Sequence, residues 1–128
     1  MLALDHGAAR CGVALSDPTG TLASPLAPVV LPDSRRGIAA IVALVEAHDV
    51  STVVVGLPLR LDGGDSAQTR IAREFAALLE SRLVGVEVVL HDERFTTRQA
   101  RAGDGAASED SRAAAHLLEA WLAMPAAK

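Results

Sequence analysis

The stretch that decides the fold is MLALDHGAARCGVALSD, residues 1–17. Its first apolar run ends abruptly at Asp5, Gly7 follows two residues later, and a second apolar run resumes at Cys11. This pattern predicts two strands joined by a tight turn. A short strand without a polar face is typical of the centre of a sheet. We therefore expect Asp5 at the carboxyl end of a central strand, where open α/β sheets bind their ligands.

The composition indicates one domain covering residues 1–128. Half of the residues are hydrophobic and 22% are charged, so a packed core can form and disorder is not expected. No apolar run is long enough to cross a bilayer, and no membrane partner is expected. The single cysteine, Cys11, excludes an internal disulfide and is consistent with a reducing cytoplasm.

The charge balance bears on the kind of partner that the chain binds. A net charge of −4 by itself argues against nucleic acid. The basic residues are nevertheless arginines, apart from Lys128, and arginine binds phosphates in a bidentate manner. Aromatic residues make up only 2% of the chain, so a base-stacking platform is not expected. Any nucleic acid would be held by its backbone and shape.

The remaining pattern predicts the element order β-β-β-α-β-α-β-α. Short connections make the first three strands antiparallel neighbours, and helical crossovers make the later strands parallel to the first. The fold class is therefore α/β, a mixed five-stranded sheet flanked by helices, with the fourth strand between the first and the fifth. The expected helices have apolar stripes at Ile38, Ile41, Val42 and Val45; at Ile71, Phe75, Leu78 and Leu79; and at Ala114, Leu117, Leu118, Trp121 and Leu122. A further short helix is expected at 96–102.

Three carboxylates converge on one edge of this predicted sheet. Asp5 follows the first strand and Glu93 follows the fifth, while the fourth ends at Gly56, which has no side chain to fill the space between them. Asp110 lies on the apolar side of the last helix, four residues before Ala114. Clustered carboxylates favour Mg²⁺ or Mn²⁺, and one or two such ions can support phosphodiester cleavage.

Each of these acids also has an ordinary structural interpretation. Asp5 can accept hydrogen bonds from the turn at Gly7, Glu93 can form a surface ion pair, and Asp110 can be a helix N-cap. Four arginines fall near the same edge and could hold phosphates, although scattered surface arginines are the alternative. These candidate substrate-binding residues are Arg10, Arg60, Arg94 and Arg98. Ordinary structural roles are expected for His6 and His91.

Four segments together resemble the YqgF/RuvX family of pre-16S rRNA nucleases, also described as Holliday junction resolvases. The segments are LALDHGAARCGVALSDPTG at 2–20, VVVGLPLRLDGGDSAQ at 53–68, VVLHDERFTT at 88–97 and DSRAAAHLLEAWL at 110–122. The resemblance implies a ribonuclease-H-like fold and a divalent-metal nuclease site, with Asp5, Glu93 and Asp110 as catalytic residues and metal ligands. It also implies a structured nucleic acid as substrate, either pre-rRNA or branched DNA, and a cytoplasmic role in rRNA maturation or recombination. A junction resolvase would be expected to work as a homodimer.

Two departures from that family fall close to the predicted site. His6 follows Asp5 where the family usually has an aromatic residue, and Ser108-Glu109 stands where a lysine is common. Two other classes of function remain open at this point. The turn around Asp5 and Gly7 also resembles the phosphate-binding turn of sugar kinases and actin-like ATPases, of which this chain would form one half. The chain could also be a non-catalytic nucleic-acid-binding module of the same fold.

Overall fold

The computed structural model describes residues 1–93 and 109–123, with the backbone alone at positions 109 and 110. The predicted short helix at 96–102 lies outside the described residues. Within the described residues no helix is long and apolar enough to cross a membrane. The helices and strands follow the predicted order. They are β1 (Leu2–Asp5), β2 (Arg10–Ser16), β3 (Ala23–Val30), α1 (Arg35–Ala47), β4 (Thr52–Leu57), α2 (Ala67–Arg82), β5 (Glu87–Asp92) and α3 (Glu109–Ala123).

The strands form one five-stranded sheet in the order β3-β2-β1-β4-β5. β1 pairs antiparallel with β2, which pairs antiparallel with β3. β1 also pairs in parallel with β4, and β4 pairs in parallel with β5. The predicted mixed sheet is therefore confirmed, including the central position of β1 and the place of β4 between β1 and β5. Because β1, β4 and β5 run in the same direction, their carboxyl ends meet at one edge of the sheet.

The sheet separates two apolar cores, because successive side chains of a strand point to opposite faces. Leu2 and Leu4 of β1 pack with α1 and α2 on one face. Ala3 of β1 packs on the other face, against α3. The α3 face is lined by small side chains on both sides of the contact, which lets the helix approach the sheet closely. These buried residues are Ala3, Ala14, Val54, Ala114 and Ala115.

Local hydrogen bonds set the starts of α1 and α2. The Ser34 side chain accepts a hydrogen bond from the Gly37 amide and caps α1. Ser66 and Thr69 form a reciprocal capping box at the start of α2. The Thr69 hydroxyl also donates to the Pro58 carbonyl oxygen (2.6 Å), which ties the start of α2 to the segment that follows β4.

The buried face of α2 differs from the predicted stripe. Ile71, expected in the core, is 39% exposed. Relative to the predicted orientation, α2 is rotated about its axis so that Thr69 faces the core. Thr69 is fully buried, and its hydroxyl donates to the Pro58 carbonyl oxygen. The inward-facing residues are Thr69, Ala72, Phe75, Ala76 and Leu79.

Gly37, in the first turn of α1, lies close to the backbone of residues 31–32. A Cβ atom at this position would collide with the Leu31 carbonyl oxygen and would lie 2.6 Å from the Pro32 Cα, both backbone atoms that cannot rotate away. In most helices Gly→Ala stabilises by about 0.5–1 kcal/mol. Here we expect Gly37→Ala to lower the free energy of unfolding by roughly 1–3 kcal/mol, as measured by urea denaturation.

The matched control is Arg36→Ala, at the exposed neighbouring position of the same turn. It should change the free energy of unfolding by no more than about 0.5 kcal/mol. A Gly37→Ala protein that is as stable as the wild type would show that α1 does not lie this close to residues 31–32.

Candidate active site

Asp5 lies at the carboxyl end of β1, opposite Gly12 of β2, and is half-buried. Alternation along the strand directs Asp5 to the same face as Ala3, the face that α3 covers. β1 is the central strand of the sheet, so the backbone that carries this carboxylate is held by strands on both sides. The structure thus places Asp5 where the sequence predicted it, at the carboxyl edge.

Glu93 follows β5 directly, and its carboxylate lies over Gly56 of β4. A Cβ atom built on Gly56 would lie 2.5 Å from Glu93 Oε2 and 3.1 Å from its Cδ. Gly56 pairs with His91, and the preceding residue Val55 pairs with Leu4. Extending that register by one residue brings Asp5 alongside Gly56. Asp5 therefore lies beside Gly56, and the Glu93 carboxylate takes the space that a side chain at position 56 would fill.

The first turn of α3 is attached to the sheet by a buried hydrogen bond. The Val13 amide of β2 donates to Ser111 Oγ (3.2 Å), at the point where the register of β2 against β3 shifts. Ser111 is fully buried. Val13 pairs with Leu4 of β1, so this contact holds the helix start over the strand end that carries Asp5.

Asp110 precedes Ser111 in α3, and its side chain lies outside what the structure describes. Among the side chains that are described, no group of three His, Cys, Asp or Glu residues is placed to hold a metal ion. Of the predicted ligand set, only Asp5 and Glu93 have side chains that the structure describes. Their oxygen donors are of the kind that Mg²⁺ and Mn²⁺ prefer, so the described part of the set fits such an ion, and the full set remains a prediction.

His6 points to the opposite face from Asp5 and anchors the end of β1 there. Its Nε2 lies 2.8 Å from Asp33 Oδ2, and its ring contacts the Phe75 ring with a centroid separation of 4.5 Å. Only 5% of the His6 side chain is exposed. The strand end is therefore attached to the start of α1 and to α2, in agreement with the structural role expected for this histidine.

His91 lies on the same face as Glu93, two residues away along β5. It is buried and meets the Trp121 ring of α3 edge-on, with a centroid separation of 5.8 Å. Burial lowers the pKa of His91, although the nearby Asp92 and Glu93 act in the opposite direction. Within the described residues its Nε2 has no hydrogen-bond partner. His91 therefore stays neutral near pH 7 and supports α3 by packing.

The structure describes two of the four arginines that were predicted to bind phosphate. Arg10 begins β2 at the same edge as Asp5 and is exposed. Arg60 lies in the loop after β4 and pairs with Asp62, Nη2 to Oδ2, at 2.8 Å. Arg94 and Arg98 lie outside the described residues. A substrate phosphate would have to compete with Asp62 for Arg60, but such exposed pairs contribute little to stability.

The opposite edge of the sheet holds an open cavity of about 630 Å³, lined by Ser16, Asp17 and Asp49 among others. The Asp17 carboxylate is bound within its own turn. Its carboxylate accepts hydrogen bonds from the Leu22 amide, the Thr19 hydroxyl and the Thr21 amide, which lower the pKa of Asp17 to about 2. The carboxylate pair formed by Asp5 and Glu93 lies at the other edge.

The strand order, with acidic residues at the ends of β1 and β5 and a helix across them, defines a ribonuclease-H-like fold. A solved structure supports this: the chain superimposes on Thermus thermophilus RuvC in complex with a Holliday junction substrate. The TM-score is 0.63 over 94% of this chain and 91% of that chain, at 12% sequence identity. At this identity the likeness establishes the fold alone.

The sequence comparisons identify the family. Residues 1–124 match the family model described as RuvX, Holliday junction resolvase, and the chain belongs to this family. A relative from Anaeromyxobacter sp. (strain Fw109-5), named "Putative pre-16S rRNA nuclease", is 42% identical over 94% of both chains. A relative of the same name from Koribacter versatilis is 45% identical over 78% of this chain, which spans 65% of that relative's length.

These findings confirm the predicted family and fold class. Membership in the family also supports the predicted enzyme class, a hydrolase that acts on phosphodiester bonds. The hydrogen bond from Val13 to Ser111 and the anchoring of His6 by Asp33 were not predicted from the sequence. The signals that could have pointed to them are the position of Ser111 on the apolar stripe, three residues before Ala114, and the alternation that puts His6 opposite Asp5.

Gly56→Ala tests whether the Glu93 carboxylate depends on the space above Gly56. The added methyl group would displace the end of a flexible side chain, which costs little stability but moves a carboxylate away from its position. We expect cleavage activity to fall by about 10- to 100-fold and the half-saturating Mn²⁺ concentration to rise. Metal titrations of nuclease activity and thermal unfolding would be measured side by side. Wild-type activity in Gly56→Ala would refute this geometry.

The contacts of His6 can be separated by two substitutions. His6→Phe keeps a ring against Phe75 but removes the hydrogen bond to Asp33, so we expect a loss of about 0.5–1.5 kcal/mol in unfolding free energy. His6→Ala also removes the buried ring and should cost about 3 kcal/mol. The control is His116→Ala, whose partner Glu119 is a surface residue at 3.4 Å. Equal effects of His6→Ala and His116→Ala in urea denaturation would contradict the anchoring role.

Proposed function

We propose that the chain is a divalent-metal-dependent nuclease that hydrolyses phosphodiester bonds in structured nucleic acid. The observation that carries this proposal is the approach of two acids at the carboxyl edge of the sheet: Asp5 lies beside Gly56, and the Glu93 carboxylate lies over it. Asp110 is proposed as the third member of the set, because it lies in the first turn of α3, directly before Ser111, which is attached to β2. Family membership supports the same class of reaction.

In this proposal Asp5, Glu93 and Asp110 bind one or two Mg²⁺ or Mn²⁺ ions. The bound metal supplies an activated water and stabilises the charge that develops on the phosphate. The remaining work is done by this chain's own residues. Gly56 leaves the space that the Glu93 carboxylate takes beside Asp5, and His6 holds the end of β1 from the other face. Arg10 and Arg60 are proposed to bind flanking phosphates, a role for which the arginine guanidinium is well suited.

The proposed substrates are the 5′ region of pre-16S rRNA and branched DNA. The relatives are named for the first substrate and the family model for the second. With so few aromatic residues, the chain would recognise backbone and shape, which the two substrates share at the places where a helix is interrupted. Cleavage of a symmetric junction would require two copies of the chain, so a homodimer belongs to this proposal, as does a cytoplasmic location.

Asp5→Asn tests the proposed ligand set. The substitution keeps the size of the side chain but removes the negative charge that binds the metal. We expect Mg²⁺- or Mn²⁺-dependent cleavage of a synthetic four-way DNA junction and of a pre-16S rRNA 5′ fragment to fall at least about 100-fold. EDTA should abolish cleavage by the wild type. Thermal unfolding would confirm that the variant folds.

The control is Asp49→Asn, which removes an equivalent charge at the opposite edge of the sheet. Asp49 is exposed and has a φ of 53°, a conformation that asparagine adopts readily. The Asp49→Asn variant should cleave both substrates at the wild-type rate. Undiminished cleavage by Asp5→Asn would exclude Asp5 as an essential ligand. If the wild type bound these nucleic acids but cleaved them with none of the metals tested, the non-catalytic module would be favoured. Calorimetry with ATP would test the nucleotide-binding alternative.

A further inference from the structure

An apolar side chain projects into solvent from the loop that follows β4. Leu61 is 94% exposed, although leucine loses favourable free energy when it is left in water. A single exposed leucine has no special meaning by itself. Leu61 differs because of the loop that holds it and because of the edge of the sheet from which that loop extends.

The loop is closed by hydrogen bonds on both sides of Leu61. The Arg60 amide donates to the Gly64 carbonyl oxygen (2.9 Å), and the Gly63 amide donates to the Arg60 carbonyl oxygen (2.8 Å). The Asp62 carboxylate accepts from the Gly64 amide through Oδ1 (2.8 Å) and from Arg60 Nη2 through Oδ2 (2.8 Å). Leu61 is therefore displayed at the tip of a closed turn.

The loop also leaves the sheet beside the candidate active site. Leu61 is five residues after Gly56, over which the Glu93 carboxylate lies, so its Cα is within roughly 18 Å of that position even for an extended chain. The distance corresponds to only a few nucleotide steps. The neighbouring Arg60 side chain is 61% exposed, and a phosphate could contact its guanidinium at the same tip in competition with Asp62.

We propose that Leu61 is a wedge that inserts between stacked bases of the nucleic acid bound at this site, with Arg60 on the adjoining phosphate. The inference rests on the proposed nuclease function and narrows its substrate. Inserting an apolar side chain requires two bases to unstack. Unstacking is easiest where a helix is already interrupted. The wedge would therefore direct cleavage to branch points and frayed ends, and disfavour continuous duplex.

The test compares Leu61→Ala and Leu61→Phe with Val84→Ala. Val84 is 97% exposed and precedes β5, at the opposite edge of the sheet, so it is a matched control. The probes are a four-way DNA junction with 2-aminopurine at the branch point and a continuous duplex of equal length. Binding is measured by anisotropy, and unstacking by 2-aminopurine fluorescence, with Ca²⁺ as the only divalent ion.

We expect the wild type to bind the junction more tightly than the duplex and to raise the 2-aminopurine fluorescence. Leu61→Ala should lose the rise in fluorescence and reduce the ratio of junction to duplex affinity by about fivefold or more. Leu61→Phe and Val84→Ala should keep both. Thermal unfolding should be unchanged in all of them, because both side chains are exposed.

The wedge and the nuclease proposal fail in different ways. Normal unstacking by Leu61→Ala, in a protein whose wild type cleaves the junction, would overturn the wedge alone. Leucine-dependent unstacking with no cleavage in Mg²⁺ or Mn²⁺ would overturn the nuclease proposal and support the wedge. A wild type that binds neither probe would overturn both.

Discussion

The parallel pairing of β1 with β4, and of β4 with β5, is the constraint on which the candidate site depends. It brings Asp5 and Glu93, which are far apart in the chain, to one edge of the sheet and places Gly56 between them. A side chain at position 56 would occupy the space that the Glu93 carboxylate takes. The pairing thus supplies the two acids, and the glycine allows them to share a site.

The end of β1 is attached to helices on one face of the sheet, and on the other face α3 is attached to the neighbouring strand β2. On one face, His6 contacts Asp33 and Phe75. On the other face, Ser111 holds the start of α3 through the Val13 amide of the neighbouring strand. Asp5 lies between these two attachments. In the proposed mechanism Asp5 would have to keep its position next to a cation and a phosphate. Rigid support would serve that role, because small displacements of reacting groups cost much of the rate.

Several features of the fold and the site could be read from local patterns. The apolar runs predicted every strand, and the length of each connection predicted whether its strands are parallel or antiparallel. The acids Asp5 and Glu93 were expected at the carboxyl edge because Asp5 ends one apolar run and Glu93 comes three residues after another ends at Leu90. These features depend on near neighbours in the chain, so a short window of sequence contains their cause.

Other features follow only from contacts between distant segments. The rotation of α2 that exposes Ile71 results from the hydrogen bond between Thr69 and the Pro58 carbonyl. The contact between His6 and Asp33 and the hydrogen bond between Val13 and Ser111 each join residues that are far apart in sequence. The amino-acid sequence alone therefore determined the order of the strands and the acids that end them. The tertiary structure decided how those ends are supported and which face of α2 is buried. Helical spacing and strand alternation do not specify which distant group will satisfy a buried hydrogen bond.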